Sequence, residues 1–246
     1  MKIILHGYTG KMGQIVQEVC AENDEYEIAA MIAFDSQKEA DHCYSSFEEC
    51  NEEADLVIDF SSRAATEALL AFCVKRNLPL VLCTTGQTEE EKQMIKDASK
   101  NIPVFFSANF SLGVAVLASL ARQAAAMFPD ADIEILEKHH NRKADAPSGT
   151  ALLLADEIKE VRTDAVYAAP RGNRKRQKNE IGISSLRMGN EVGTHEIYIN
   201  TGSECLTLTH QAYSRAVFAE GALKAAEYLL TKEPGLYNMK DMVAEI

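Results

Sequence analysis

The sequence has few cationic residues relative to its acidic ones. Over 246 residues it carries 25 Lys and Arg against 37 Asp and Glu, so its formal net charge is −12. Because nucleic acids and anionic membranes bind basic surfaces, this charge argues against both as partners. An anionic small ligand must then be met by a pocket that is locally basic.

Long apolar runs and paired cysteine motifs are also lacking. No run approaches the roughly 18 residues of a membrane span, and the initial Met-Lys-Ile-Ile-Leu is too short for a secretory signal. We therefore expect a soluble, cytoplasmic protein. The six cysteines, at positions 20, 43, 50, 73, 83 and 205, show no C-x-x-C spacing. We expect reduced, buried thiols, and neither a disulfide framework nor a zinc site.

Apolar segments alternate with helix-like segments in the first part of the chain. Candidate strands occupy 2–6, 26–32, 54–60, 78–85 and 102–108, and candidate helices occupy 11–22, 63–76 and 88–100. Near-continuous apolar strands joined by helices are typical of a parallel sheet with helices on both faces. The pattern predicts an α/β fold for this part of the chain.

The second part of the chain has a different pattern. Its candidate helices occupy 112–128, about 148–160 and about 215–230, and its alternating strands occupy 133–139, 182–188, 194–200 and 205–213. Strands grouped without intervening helices favour a separate α+β unit built on one antiparallel or mixed sheet. A basic, turn-like segment at 171–180 is interpreted either as a mobile flap or as a solvated loop.

Three glycines follow the first strand in the segment HGYTGKMG. Gly7, Gly10 and Gly13 give the spacing G-x-x-G-x-x-G, a variant of the usual dinucleotide fingerprint. Glycines between a strand and a helix allow a tight turn and a close approach of a pyrophosphate to the helix N-terminus. We predict dinucleotide binding at this turn, with a purely structural turn as the alternative.

Two charged residues bear on the choice of cofactor. Asp35, after the second strand, is the nearest candidate to bind the adenosine ribose, and no arginine adjoins it. Lys11, in the glycine turn, could receive a 2′-phosphate instead. The choice between NADH and NADPH therefore stays open.

Polar residues also follow two later strands, in the segments CTTG at 83–86 and SANFS at 107–111. In an open parallel sheet the ligand lies across the carboxyl ends of the strands. We expect these segments to hold a nicotinamide. The alternative is that Thr84, Thr85 or Ser111 only caps a helix.

The segment EKHHNRKADAPSGTA, at 137–151, combines charged residues with a helix start. The backbone N–H groups of Ser-Gly-Thr at 148–150 form an anion site that suits a carboxylate. His139, His140 and Lys143 precede it and suit proton delivery and the binding of a second negative charge. No metal site is predicted, because no three ligands converge.

Motifs along the whole chain resemble those of one known family. They are GYTGKMG, CTTG, SANFS, EKHHNRKADAPSGTA, SRAVFAEGA and GLYNMKDM. In this order they resemble the motifs of 4-hydroxytetrahydrodipicolinate reductase, also called dihydrodipicolinate reductase, of the diaminopimelate and lysine pathway. The histidine-lysine block that ends in APSGT is the most specific of them.

The resemblance implies roles for individual residues. His139 is the implied proton donor, Lys143 assists it and binds substrate, and His140 holds the dicarboxylate together with Gly149 and Thr150. Ser148 joins this set through the helix start described above. The implied cofactor contacts are Gly7, Tyr8, Thr9, Gly10, Lys11, Met12, Cys83, Thr84, Thr85, Ser107, Ala108, Asn109 and Phe110.

The resemblance also implies an architecture and a reaction. A Rossmann-type dinucleotide-binding domain at 1–109 is completed by 217–246, and an inserted α+β substrate-binding and oligomerisation domain occupies 110–216. The implied protein is a homotetramer that reduces a small dicarboxylate, 4-hydroxytetrahydrodipicolinate, to tetrahydrodipicolinate with NADPH or NADH.

Two alternatives to this function remain. Another two-domain Rossmann dehydrogenase, acting on an amino acid or a semialdehyde, would need its own base or a nucleophilic cysteine. A non-catalytic dinucleotide sensor would not need a histidine-lysine pair beside a carboxylate site.

Overall fold

The structure is a computed structural model that describes residues 1–34 and 41–245. Its twelve described strands are β1 (Lys2–His6), β2 (Glu27–Ile32), β3 (Cys43–Tyr44), β4 (Leu56–Asp59), β5 (Leu80–Leu82), β6 (Pro103–Phe106), β7 (Asp132–His139), β8 (Val166–Ala168), β9 (Glu180–Arg187), β10 (Gly193–Asn200), β11 (Cys205–Ala212) and β12 (Gly235–Tyr237).

Seven α-helices and one 3-10 turn complete the described part of the chain. The helices are α1 (Lys11–Ala21), α2 (Thr66–Arg76), α3 (Glu89–Ala98), α4 (Leu112–Met127), α5 (Gly149–Lys159), α6 (Ala216–Leu229) and α7 (Met239–Ala244), and the 3-10 turn is Arg63–Ala65. None of the helices in residues 1–34 and 41–245 is long and apolar enough to cross a membrane.

The chain divides into two compact units, and the first contains Met1–Ser111 and Arg215–Ile246. Its seven strands form a parallel sheet in the order β12-β6-β5-β4-β1-β2-β3. The central strands are apolar and buried along their length, as expected when helices cover both faces. The predicted Rossmann-type parallel sheet is confirmed.

The second unit is Leu112–Ser214. Its sheet has the order β11-β10-β7-β9-β8 and is mixed, because β10 is antiparallel to β7 and β11 while β9 is parallel to β7 and β8. Apolar residues of α4 and α5 pack against alternate residues of the sheet, such as Ile133, Ile135 and Ile197. The predicted α+β character is confirmed.

The structure adds elements that the sequence patterns do not reveal. The strands β3, β8 and β12 have only two or three residues, and α7 has six. Segments of this length are too short to display a hydrophobic period. The three short strands are identified in the structure by their pairing with longer strands.

One expectation drawn from the sequence needs correction. Five of the six cysteines are buried thiols as expected, but Cys205 is exposed on β11. In the basic segment at 171–180, Arg171 and Arg174 form ion pairs with the buried carboxylate of Glu180. Arg176 donates further hydrogen bonds, at 3.1 and 2.6 Å, to the backbone carbonyls of Ile133 and Glu180. The interpretation of this segment as a mobile flap or a solvated loop stays a prediction.

Candidate active site

The glycine turn after β1 is packed so closely that side chains are excluded. Gly7 has a φ of +86°, and a Cβ there would lie 2.6 Å from the carbonyl oxygen of Phe60, at the end of β4. A Cβ at Gly13 would lie 2.3 Å from the carbonyl oxygen of Gly7. Glycine at these two positions lets the turn lie against the end of β4 and lets α1 begin immediately above the turn.

The N-terminus of α1 suits an anion. Gly10 is its N-cap and provides no side-chain cap, and no acidic residue lies in the first turn. The first residue of the helix is Lys11, whose side chain is exposed. Unsatisfied N–H groups at such an end favour a phosphate, so the residues present fit the pyrophosphate of a dinucleotide.

A cavity of about 420 Å³ lies beside the turn. Gly7, Thr9 and Gly10 border it, as expected for cofactor contacts, together with residues from the ends of β1, β2 and β4. These added residues are His6, Ala33, Phe34, Phe60, Ser61, Ser62, Ala64 and Ala65. The lining is mostly apolar, which suits a flat aromatic ring such as adenine. Asp35, the predicted ribose contact, lies outside the described residues.

A second cavity, of about 350 Å³, lies at the ends of β4 and β5. Met12, Cys83, Thr84 and Thr85 border it, together with Ser61, Ser62 and Arg63. Among the described residues, the buried hydroxyl of Thr84 has no hydrogen-bond partner. A buried polar atom normally has a partner, so this hydroxyl fits a ligand with a donor or acceptor, such as a carboxamide.

The thiol of Cys83 in this cavity is not poised as a nucleophile. Burial, with a smaller effect of the Asp59 carboxylate, raises its pKa well above the usual range. The protonated thiol does not suit the cysteine chemistry of a semialdehyde dehydrogenase. Its place in the cavity is compatible with van der Waals contact to a ligand.

Among the described residues, six of the predicted cofactor contacts border neither of these cavities. They are Tyr8, Lys11, Ser107, Ala108, Asn109 and Phe110. Phe110 is buried and its ring packs 5.6 Å from that of Phe105, measured between centroids. The Ser107 hydroxyl donates to the backbone carbonyl of Asn109 at 2.9 Å, so this segment forms a hydrogen-bonded turn after β6.

Sequence reasoning missed the residues that follow β4. Ser61, Ser62 and Arg63 border one or both cavities, and they belong to the segment DFSSR at the carboxyl end of an apolar strand. This is the same signal that identified CTTG after β5. Applying the strand-end rule to every strand would have found them.

In the second unit, the candidate site continues the buried face of β7. Along this strand Ile133, Ile135, Glu137 and His139 are buried, in strict alternation with partly exposed or exposed residues. The first two pack in the apolar core with α4 and α5. The face of β7 that packs in the core at Ile133 and Ile135 therefore carries the ionisable side chains of Glu137 and His139 further along the strand.

The carboxylate of Glu137 is fully buried and paired with Arg187 on β9. The two guanidinium nitrogens donate to its two oxygens at 2.8 and 2.7 Å, a bidentate arrangement. Burial alone would raise the pKa of Glu137, but hydrogen bonds from Arg187, Ser185 and His139 outweigh it and lower the pKa to about 2. Glu137 is therefore a charged acceptor at neutral pH.

His139 is the last residue of β7 and lies beside this carboxylate. Its Nδ1 is 2.5 Å from Oε2 of Glu137. Its other nitrogen, Nε2, faces Gly193 on β10, where a Cβ would lie only 3.1 Å away. One ring nitrogen is thus bound within the protein, and the other lies beside a residue without a side chain.

Ser148 has a structural role at the start of α5. Its hydroxyl accepts from the N–H of Ala151 at 3.1 Å, as an N-cap, and its own N–H donates to Glu137 at 3.1 Å. The residue is buried. Its contact with a substrate stays a prediction, as it does for Gly149 and Thr150, which follow it at the first turn of the helix.

A second imidazole, that of His195 on β10, lies next to His139. The two rings are 5.2 Å apart between centroids, and Nε2 of His195 is 3.2 Å from the hydroxyl of Ser148. Burial, followed by the charge of His139, lowers the pKa of His195 to about 4. His195 is therefore neutral at physiological pH.

His140 and Lys143 lie in the loop that follows β7. The N–H of His140 donates to the carbonyl of Glu191 at 2.8 Å, and the N–H of Lys143 donates to the carbonyl of His140 at 3.1 Å. The Lys143 ammonium is 2.8 Å from Asp145, which is more exposed than the lysine. Arg187 also donates to the backbone carbonyl of Asp145 at 2.6 Å. The loop is thus fixed to the charged cluster.

Sequence reasoning missed Glu137, Arg187 and His195 in this cluster. Glu137 is the first residue of the segment at 137–151 and shares the strand face of His139, so the alternation could have identified it. Arg187 and His195 carry no local signal. They join the site because β9 and β10 pair with β7, placing Arg187 opposite His139 and His195 opposite Glu137.

Comparison with known proteins gives the same family for both parts of the chain. The family model for the N-terminus of dihydrodipicolinate reductase matches residues 1–110, and the model for its C-terminus matches residues 113–243. The 4-hydroxy-tetrahydrodipicolinate reductase of Caldanaerobacter subterraneus subsp. tengcongensis is 46% identical over 246 residues, covering 99% of this chain and 98% of that protein. The Clostridium tetani protein of the same name is 43% identical, covering 99% and 97%.

A solved structure is similar along its whole length. It is the dipicolinate-bound dihydrodipicolinate reductase from Paenisporosarcina sp. TG-14, with a TM-score of 0.82 and 25% sequence identity. The similarity covers 97% of each chain. The two units thus occur together in a protein of known structure.

Proposed function

Because the chain belongs to the dihydrodipicolinate reductase family, we propose that its two units divide the family's reaction between cofactor and substrate. The reaction converts 4-hydroxytetrahydrodipicolinate to tetrahydrodipicolinate, with NADH or NADPH as reductant, in diaminopimelate and lysine biosynthesis. The 4-hydroxyl group leaves as water, and the ring, then conjugated with the imine, takes up one hydride and one proton. The first unit holds the dinucleotide, and the second holds the dicarboxylate. The alternatives of another dehydrogenase and of a non-catalytic sensor have no support in the comparisons.

The cofactor is assigned to the residues that border the two cavities of the first unit. The turn at Gly7–Met12 and the N-terminus of α1 hold the pyrophosphate, and Thr84 and Thr85 hold the nicotinamide. Bound reduced nicotinamide supplies the hydride. Both NADH and NADPH are accepted in this proposal. Lys11 is the cation available in the turn to bind the 2′-phosphate, which only NADPH carries.

The substrate is assigned to the loop between β7 and α5. Gly149, Thr150 and His140 bind its carboxylates, and Lys143 binds substrate and stabilises the negative charge that develops as hydride arrives. His139 donates the proton from Nε2 to the adjacent ring carbon. The observation that carries this proposal is the buried pairing of Nδ1 of His139 with Glu137, which leaves Nε2 as the donor.

Assembly and location follow from the same assignment. We propose a homotetramer assembled through the sheet of the second unit and located in the cytoplasm. The exposed strand β11, at the edge of that sheet, supports such an interface. The location is supported by relatives that are biosynthetic enzymes.

The experiment that tests the assignment compares His139→Gln with His140→Gln. In an assay coupled to the synthase that makes the substrate, His139→Gln should lower turnover about a hundredfold or more, the typical contribution of a general acid. Its rate should also lose the decline at alkaline pH that an essential protonated imidazole produces. His140→Gln should chiefly raise the Michaelis constant, because it removes a contact made equally in ground and transition states.

The control is His42→Gln, since this exposed histidine pairs with Glu52 in the first unit. It should retain normal kinetics. If His140 instead controls turnover and the alkaline decline, the proton has been assigned to the wrong histidine. Pyridine-2,6-dicarboxylate should compete with substrate, and failure to compete at millimolar concentration would contradict the dicarboxylate site.

A further inference from the structure

We propose that Glu137 is a positioning residue for His139, orienting its imidazole and fixing which ring nitrogen holds the proton to be donated. This inference rests on the proposed role of His139 as proton donor. Glu137 itself does not need to touch the substrate. Its proposed task is to hold Nδ1 so that only Nε2 can deliver a proton.

The hydrogen bonds of Glu137 leave its carboxylate no freedom to turn. Oε1 accepts from Arg187 at 2.7 Å and from the N–H of Ser148 at 3.1 Å. Oε2 accepts from Arg187 at 2.8 Å and lies 2.5 Å from Nδ1 of His139. The carboxylate is thus fixed by β9 on one side and by the start of α5 on another.

The charge of Glu137 determines the direction of its hydrogen bond to His139. A carboxylate with a pKa of about 2 is ionised at neutral pH and can only accept hydrogen bonds. Nδ1 of His139 must therefore carry a hydrogen in both the neutral and the protonated ring. The proton that the ring gains and loses is the one on Nε2.

The surroundings of Nε2 are compatible with this assignment. Gly193 on β10 contributes no side chain there, and a methyl group at this position would stand 3.1 Å from the nitrogen. On the neighbouring elements, Arg187 on β9 is the register partner of His139, and the ring of the neutral His195 on β10 lies 5.2 Å away between centroids. The charged groups of this region further include Lys143 and Asp145, which pair with each other in the loop after β7. On β11, the imidazole of His210 lies opposite His195.

A purely structural interpretation of Glu137 is that its ion pair only joins β7 to β9. Both interpretations predict damage when the buried carboxylate is removed, because Arg187 would lose its partner. They differ in whether the damage passes through His139. A double-mutant cycle between the two positions separates them.

The experiment measures turnover and the Michaelis constant for Glu137→Gln, His139→Gln and the double variant. We expect Glu137→Gln alone to lower turnover roughly tenfold to a hundredfold with little change in the Michaelis constant. In the His139→Gln background it should lower turnover less than about twofold, because the group it orients is gone. Glu134→Gln is the matched control, since Glu134 is also on β7 and pairs with an arginine, Arg171.

The outcomes distinguish this inference from the assignment on which it rests. Equal losses from Glu137→Gln in both backgrounds would overturn the positioning role while leaving His139 as the donor. Normal turnover in His139→Gln would overturn the assignment of His139 as the proton donor, on which the inference rests.

A second measurement does not depend on whether the Glu137 variant folds. Nitrogen-15 NMR of the unmodified protein at alkaline pH reports which nitrogen of neutral His139 is protonated, with the signals assigned by their loss in His139→Gln. We expect the hydrogen on Nδ1. A hydrogen on Nε2 would overturn the inference.

Discussion

The cavities of the first unit and the charged cluster of the second are formed by different kinds of chemical groups. Glycines, hydroxyl groups and apolar side chains border the cavities, and close backbone approach at Gly7 and Gly13 shapes them. In the second unit, Glu137, Arg187 and His139 are side chains that hold one another in place. A site shaped by backbone should be sensitive to added bulk, and a site shaped by charged side chains should be sensitive to a lost charge.

The largest effect expected from this contrast is at Lys143. Lys143→Ala should lower turnover several hundred-fold or more, the scale for removing a charge stabiliser or general acid. Cofactor affinity should barely change, because the loop lies outside the glycine turn. Steady-state kinetics and cofactor titration measure the two quantities. Arg142→Ala removes the adjacent cation as a control, and normal activity in Lys143→Ala would contradict its assignment.

A second effect concerns the stability of the folded protein at acid pH. Two buried groups of the cluster, His195 and Glu137, contribute to it. His195 has a folded-state pKa of about 4, below its ordinary value of 6.5, so its contribution is full above pH 6.5 and is lost as pH falls towards 4. Glu137, with a pKa lowered from 4.5 to about 2, loses its contribution from about pH 4.5 downward. The loss at His195 should be on the order of 3 kcal/mol.

Urea unfolding at pH 7 and pH 4 measures this loss. His195→Gln should show a smaller decrease in unfolding free energy between the two pH values than the unmodified protein does. His42→Gln, on the surface of the first unit, is the control. An unchanged pH dependence in His195→Gln would show that this imidazole is not held neutral by the fold.

A third test places the same methyl group in each unit. A Cβ at Gly13 would lie 2.3 Å from backbone, whereas a Cβ at Gly149 would meet no protein atom within 4 Å. Gly13→Ala should therefore destabilise the protein by about 1–3 kcal/mol. Gly149→Ala should fold normally but raise the Michaelis constant for the dicarboxylate roughly tenfold, about 1.4 kcal/mol, by crowding its carboxylate. An unchanged Michaelis constant in Gly149→Ala would mean that no substrate carboxylate binds there.

The smallest effect is expected at Lys11, the cation at the otherwise uncharged turn. Lys11→Ala should weaken NADPH binding roughly fivefold, the scale of one exposed ion pair, and NADH binding less. Fluorescence titration with each cofactor measures the difference. Equal losses for both cofactors would show that Lys11 contacts the shared pyrophosphate.

The contrast between the two sites also explains how far the sequence could predict them. The glycine turn is local: Gly7, Gly10 and Gly13 lie within one strand-turn-helix segment, and their spacing indicates their task. The loop at 137–151 is local as well. The parallel sheet and the mixed sheet could be predicted because their strands are long enough to display a hydrophobic pattern.

The partners of the loop at 137–151 could not be predicted in this way. Arg187 is 50 residues from Glu137 along the chain, and only the parallel register of β7 and β9 brings them together. Register depends on packing across the sheet, which a single sequence does not display. The burial of Ser148 has the same origin, because its N–H is oriented towards the carboxylate on β7.

The exposed thiol at the start of β11 gives the protein a single accessible site for chemical labelling. Cys205 is accessible, while Cys20, Cys43, Cys50, Cys73 and Cys83 are all buried. A thiol-reactive dye should therefore label the folded chain at one place, at the edge of the sheet through which we propose that subunits assemble. No engineered cysteine is needed for this measurement. The rate at which the dye reacts with Cys205 should rise as dilution separates the subunits at this edge of the sheet.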